Sequence, residues 1–329
     1  MEKYLSNCLD SLIIPSIDKL DVIVVNDGSK DKSSEIAHSY ANRFPHSVRV
    51  IDKKNGNYGS CINAALPTVK GKYVKILDAD DTFDTQNLEE FVKILSEINV
   101  DLVITNFLLV DENGSIIKET KGEFLTKGNI LGQEEFVEIV KDKMAQMHAF
   151  TFNSNVFKGI DYQQSEGISY TDSEWIFYPL INCQSFIYID LILYKYLLGR
   201  NGQTMELKTY LQRLDQMIYI IDKFVDFYKD KQTNNKIANK EYYEEILFNF
   251  LKSLYSNAIY NKTPHYEKFL LLDKKVEKNL PELYKRLDRS TSFMNKFFPL
   301  LYWKKHNKQF NAPLLVLYRR YLKIKSKNS

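Results

Sequence analysis

The sequence is short of several features that would each have assigned it to a class. Only three cysteines occur in 329 residues, Cys8, Cys61 and Cys183, widely spaced and odd in number. They form neither a metal-ligand spacing nor a disulfide framework, so a reducing compartment is expected. No G-x-G-x-x-G and no G-x-G-T-R-like loop is present, which argues against a Rossmann oxidoreductase and a sugar-phosphate nucleotidyltransferase. No signal-type leader opens the chain, and no apolar run approaches the ~20 residues that span a bilayer. A cytoplasmic protein is the expectation.

Acid is also missing from one end. Beyond Asp288 there is no Asp or Glu, whereas Arg289, Lys296, Lys304, Lys305, Lys308, Arg319, Arg320, Lys323, Lys325 and Lys327 supply ten cations. The whole chain carries +3, so residues 1–288 carry −7. The tail interleaves its cations with Phe297, Leu300, Trp303, Leu314, Leu317 and Tyr321. Such a mixture suits an anionic membrane surface, which would place the protein peripherally on the inner face of the cell membrane. Equally, it describes a helix packed by its apolar face with lysines in water. Nothing matches a nucleic-acid module, so no nucleic acid is expected as partner.

What is present is concentrated at the ends of two apolar runs. Val22–Val25 empties into Asn26-Asp27-Gly28-Ser29-Lys30-Asp31, and Tyr73–Leu77 empties into Asp78-Ala79-Asp80-Asp81. Short β-branched runs that stop at Asp or Gly read as buried strands of a parallel sheet, each followed by a helix. Ligands of such α/β sheets gather at the carboxyl ends of the strands. The chain opens in helical spacing (Tyr4, Leu5, Cys8, Leu9, Leu12), and Val48–Ile51, Leu102–Phe107, Phe186–Ile189 and Leu191–Tyr196 read as further strands. Gly59–Leu66 reads as a helix, Asp84 or Thr85 as the cap of another, and Asp111–Gly114 as a hairpin turn. After Thr204 the pattern turns helical, with Tyr- and Phe-rich stripes. The expected domains are therefore 1–204, an α/β unit, and 205–329, a helical region with the basic aromatic tail.

Five segments, in order, resemble one family. Asn26–Ser33 is similar to D-D-G-S-x-D-x-S, with Asn at the first Asp. Asn55-Gly56-Asn57-Tyr58-Gly59 with Asn63-Ala64-Ala65 is similar to N-x-G-x-x-x-A-x-N-x-G. Asp78-Ala79-Asp80 is a D-x-D, Tyr170–Trp175 resembles Y-E-D-x-E-[FW] with Thr171 at the Glu, and Gly199–Thr204 carries the basic residue that often follows. Together they resemble the nucleotide-sugar-binding half of family-two glycosyltransferases, of the bacterial polysaccharide or adhesin-glycan type. The resemblance implies a GT-A fold, a mostly parallel sheet with flanking helices. In that family an S-V-I-I-P-like strand precedes the E-x-Y-L seen here at Glu2–Leu5. Its absence leaves two expectations, a start further upstream or a domain that has lost the element.

The resemblance also assigns roles. It makes Asp80 the ligand of Mn²⁺ or Mg²⁺ and places Asp78 nearer the ribose of a nucleoside-diphosphate sugar. Residues two apart on a strand end project to one face, and hard oxygen ligands suit such an ion. Asp27 matches the residue that bonds the donor nucleoside, or forms an Asx turn; Asn57 belongs with the donor, or with a turn that needs Gly56. Asp172 matches the general base that takes the acceptor proton. Glu174 orients the acceptor or caps the helix from Trp175. Arg200 with Gln203 steadies the diphosphate, or is surface loop. His148, with Met144 and Met147, lines the acceptor site or is a core histidine. The implied activity is inverting, metal-dependent transfer from a UDP-hexose to a hydroxyl of a glycan on lipid or protein. The alternative is a non-catalytic GT-A relative acting as partner or scaffold of an active enzyme.

Overall fold

The computed structural model describes residues 1–122, 130–131, 146–158, 160, 162–200, 207–233, 240–290 and 297–325. The chain forms two compact units, Met1–Gln203 and Thr204–Ser329.

The first unit opens with α1 (Leu5–Asp10), which buries Leu5, Cys8 and Leu9 at helical spacing. Strand β1 (Val22–Asp27), helix α2 (Ser33–Arg43) and strand β2 (Val48–Lys53) form a crossover unit, with β1 and β2 parallel from Val22↔Val48 to Asp27↔Lys53. Helix α3 (Asn57–Ala65) follows, then β3 (Tyr73–Val74), β4 (Thr82–Phe83) and α4 (Thr85–Glu97). Asp84 caps α4, its carboxylate accepting the Asn87 N–H at 3.1 Å. Next come β5 (Leu102–Val110), β6 (Ile116–Thr120), β7 (Ile130–Leu131), β8 (Phe150–Asn153), α5 (Asp172–Phe177) and β9 (Phe186–Leu197). A seven-stranded sheet runs β3-β8-β5-β9-β4, with β6 against β5 and β7 against β9. Strand β5 lies at its centre: Leu102, Val103 and Ile104 are fully buried, as a strand covered on both faces must be apolar throughout.

Three features differ from the sequence expectation. The sheet is mixed: among the described residues only β1–β2 and β5–β9 pair in parallel. Tyr73–Leu77 joins a ladder only at Tyr73 and Val74. Beyond them the Lys75 ammonium takes over the cross-strand link, donating to the carbonyls of His148 (2.7 Å) and Phe150 (3.2 Å). The two late strands are one, β9, because Asp190 is absorbed in a bulge. There β5 changes register between Thr105↔Ile189 and Asn106↔Ile192, and buried Asn106 donates to Asp190 (2.8 Å) and accepts from Tyr188 (2.9 Å). A β-bulge thus satisfies a buried amide.

Strand β1 has β2 on one edge and no described strand on the other, and Val22–Asp27 is half-exposed throughout. Asp21 ties this layer to the turn before β3, accepting from Arg49 (2.9 Å) and the Lys70 N–H (3.3 Å).

The second unit is helical: α6 (Leu207–Gln212), α7 (Leu214–Thr233), α8 (Lys240–Asn261), α9 (Tyr266–Asn279), α10 (Pro281–Leu287), α11 (Pro299–Lys305) and α12 (Pro313–Lys325). Leu247, Leu251, Leu254, Tyr255 and Ala258 of α8 are fully buried. Inside this core Asp273 accepts from the Tyr255 hydroxyl (2.9 Å), the Tyr284 hydroxyl (3.3 Å) and Lys308 (2.5 Å). Lys304 donates to Asp288 (2.6 Å) and the Tyr284 carbonyl (2.7 Å), and Arg319 to the carbonyls of Ile259 (3.0 Å) and Phe310. Three tail cations therefore fasten the tail to its own unit. Among the described residues no helix is long and apolar enough to cross a membrane.

Candidate active site

The loop from Asp78 to Asp81 leaves the end of the β3 segment in a turn closed by the Asp81 N–H on the Asp78 carbonyl (2.9 Å). Asp81 is fully buried and points into the protein. Its two oxygens accept the Tyr194 hydroxyl (2.6 Å) and the Leu197 N–H (2.7 Å), pinning the loop to β9. That leaves Asp78 and Asp80 for chemistry. Burial first, and Asp80 beside it next, push the Asp78 carboxyl up to about 7. Burial and Asp78 push Asp81 up to about 8. Asp80 forms an ion pair with Arg200 that is largely sheltered from water, the two side chains being 10% and 22% exposed.

Asp172 stands at the first turn of α5, solvent-exposed yet recessed among protein groups that raise its pKa above the usual carboxylate value. Its charge is felt at Asp78, at the Tyr58 hydroxyl and at Tyr196, and Tyr196 also feels Asp78, Asp80 and Asp81. Asp80, Asp172 and Arg200 thus all lie near enough to act on the charge of Asp78. The residue before this turn, Tyr170, holds a left-handed φ of 66°, an uncommon conformation for a bulky residue. Thr171 is fully buried, where a glutamate would bring an uncompensated charge.

Glu174 lies beneath the site. It is fully buried, and its oxygens accept the Ser165 N–H (2.7 Å) and hydroxyl (2.9 Å). This side chain fastens α5 to the 164–167 loop instead of facing an acceptor. The same loop grips α3: Asn63 donates to the Gln164 carbonyl (2.9 Å), and a Cβ on Gly59 would stand 2.1 Å from the Ser165 carbonyl. Asn57 opens α3 with φ 65°, which asparagine tolerates better than most residues. Asp27, at the end of β1, is engaged by Lys53 (2.7 Å), the Gly56 N–H (3.0 Å) and Asn55 (3.1 Å). The structure therefore places Asp27 at the end of β1 and Asn57 at the start of α3, with Asp27 holding the shape of the 54–56 loop that joins β2 to α3. Gln203 and Met144 lie outside the described residues.

Residues that the motifs did not single out complete the site. Tyr194 and Tyr196 lie two apart on β9 and therefore project to one face. The His148 ring stacks on Tyr196 (4.4 Å) and meets Tyr194 edge-on (4.7 Å). Burial, then Lys75, push His148 down to about 3, so its imidazole is neutral. Its Nδ1 is buried and has no hydrogen-bond partner. The alternating tyrosines of β9 are the one sequence signal that points to this floor.

A divalent cation fits this donor set. Ligand atoms of Asp78, Asp81 and His148 lie within 4.8 Å of one another, although Asp81 is already committed to Tyr194 and Leu197. Asp80 acts on Asp78 to raise its pKa and Arg200, paired with Asp80, acts to lower it, and carboxylate oxygens suit Mg²⁺ or Mn²⁺.

With the geometry in view, the relatives give the class. Residues 2–158 match the profile of glycosyl transferase family 2, and the first unit has the GT-A fold. Glycosyltransferase GlyA of Streptococcus pneumoniae serotype 4 is 31% identical over 113 residues, 34% of this chain and 16% of that protein. YibD of Escherichia coli K12, an uncharacterized glycosyltransferase, is 26% identical over 195 residues, 58% of this chain and 56% of YibD. The chain thus spans well under two thirds of these curated relatives. Staphylococcus aureus TarS 1–349, solved in complex with UDP-GlcNAc, superimposes with a TM-score of 0.68 at 18% identity, over 100% of this chain and 89% of that one.

Proposed function

We propose that the chain transfers a sugar, with inversion, from a UDP-hexose to a hydroxyl of a glycan carried on lipid or protein, in building a bacterial polysaccharide or adhesin glycan. The observation that carries this is that Asp80, paired with Arg200, and Asp172 both lie near enough to Asp78 to act on its charge, in a GT-A domain. The UDP-GlcNAc and UDP complexes of TarS support the choice of nucleotide. Asp78 and Asp80 hold Mn²⁺ or Mg²⁺, which when bound neutralises the leaving diphosphate. Asp27 and Asn57 shape the loop on the nucleoside side. Asp172 takes the proton of the acceptor hydroxyl as its oxygen bonds the anomeric carbon. The bond to the diphosphate breaks on the opposite face, and its electrons leave with UDP. The raised pKa of Asp172 makes it the stronger base. Arg200 pairs with Asp80 and would be available to the diphosphate of the donor. Residues 1–204 act as the catalytic domain and 205–329 as an appended helical region. Three free cysteines support a reducing, cytoplasmic setting, and the basic tail supports peripheral contact with an anionic membrane.

One observation favours a second reading, a non-catalytic partner of an active transferase: Thr171, fully buried, stands where the family motif has Glu. Donor hydrolysis separates the two. Release of UDP from UDP-sugars, lost in Asp172→Asn with UDP binding kept, supports the enzyme. UDP binding without turnover for any UDP- or GDP-sugar supports the partner.

A further inference from the structure

Helix α12 has two apolar faces, one packed inward and one carrying the exposed Leu314 and Leu317. Leu315 (1% exposed) packs inward beside Ala312, and Arg319 anchors the same side through the carbonyls of Ile259 and Phe310. On the other side Leu314 and Leu317 are 45% and 57% exposed, with Tyr321 at 43% continuing the i, i+3, i+7 spacing. Arg320, exposed, flanks that stripe. A helix with a second apolar stripe edged by cations has the form of one that lies in a bilayer interface.

We infer that the outward stripe of α12, Leu314–Leu317–Tyr321, seats on an anionic lipid surface. This rests on the membrane partner proposed above and is independent of the transfer reaction. Charge decides the occupant. Residues 289–329 hold ten cations and no acid; among those with described side chains, Lys304, Lys308 and Arg319 turn inward to partners, while Arg289, Lys305 and Arg320 are exposed. A second copy of the chain meeting this face about a two-fold axis would set Arg320 against its own equivalent, and like charges repel. A bilayer rich in acidic headgroups supplies the missing anions, and its acyl boundary takes the leucines.

The test uses the full chain and vesicles of phosphatidylcholine with or without phosphatidylglycerol. The parent is expected to sediment with phosphatidylglycerol vesicles and to be released by salt. The Leu314→Gln/Leu317→Gln variant should partition roughly tenfold more weakly, with an unchanged melting temperature and UDP affinity. Leu271→Gln, at a leucine 67% exposed on α9, should bind as the parent does. Equal binding by the double variant and the parent overturns the stripe while leaving a charge-driven tail. No binding by the parent overturns the stripe and the membrane partner together. A concentration-dependent dimer that the double variant abolishes assigns the face to a second copy instead.

Discussion

Both units bury carboxylates, and they treat them in opposite ways. Asp273, in the helical unit, is fully buried and receives two tyrosine hydroxyls and the Lys308 ammonium. Asp78 and Asp81, in the GT-A unit, are held beside each other and near Asp80, with proton affinities raised by burial and by that crowding. A carboxylate matched by donors holds a fold together. Carboxylates crowded near one another store a demand for a cation, and under the proposed function a metal-bound diphosphate would meet it.

The contrast predicts a graded set of effects. The largest falls on the reacting group. Asp172→Asn keeps shape and hydrogen-bonding capacity but removes the base, so transfer should fall about 10²–10⁴-fold with UDP affinity kept. Near-normal turnover would move the base elsewhere. Next comes the matched carboxylate. Asp273→Ala leaves Lys308 beside an emptied core position and should destabilise the protein by about 3–5 kcal/mol in denaturant unfolding. A smaller loss would mean that the network is looser than its distances imply.

The pH dependence of the metal-free protein sharpens the same comparison. An aspartic acid whose folded-state pKa is raised binds its proton more tightly folded than unfolded. Stability from Asp78 is therefore greatest below the ordinary value of 3.8 and declines as pH rises towards about 7. Melting temperatures taken without metal across that interval should fall with pH, and Asp78→Asn should flatten the fall. The mildest effect concerns the counterion. Arg200→Gln should bind Mn²⁺ alone several-fold more tightly, because Asp80 is no longer occupied, and UDP more weakly, since a charge-assisted contact worth about 1.5–3 kcal/mol is lost. Unchanged Mn²⁺ affinity in a calorimetric titration would remove Arg200 from Asp80 in solution.

The parts of the site legible from sequence were those whose chemistry is local. Asp78 and Asp80 stand two apart at a strand end, and Asp172 lies in a short turn-to-helix segment, so short motifs that resemble the family's marked them. The cap of α4 at Asp84 and the hairpin at Asp111–Gly114 are local for the same reason. What stayed hidden depends on partners far along the chain. Asp81 looks like a third site carboxylate until Tyr194 and Leu197 of β9 are seen to hold it. Glu174 looks like an acceptor contact until Ser165 takes both its oxygens. Asp190 looks like a strand break because its compensation, Asn106, lies in another strand. The basic tail read as uniformly outward, yet Lys304, Lys308 and Arg319 turn in, since their acceptors belong to other helices.

The central claim is that the crowded carboxylates of the GT-A unit bind the donor through a divalent ion. Calorimetric titration of UDP into the full chain, with Mn²⁺ and again with a chelator, measures it directly. The account predicts binding with the ion, loss of it with the chelator, and loss of it under both conditions in Asp80→Ala. Equal UDP affinity with ion and chelator, kept in Asp80→Ala, would contradict it.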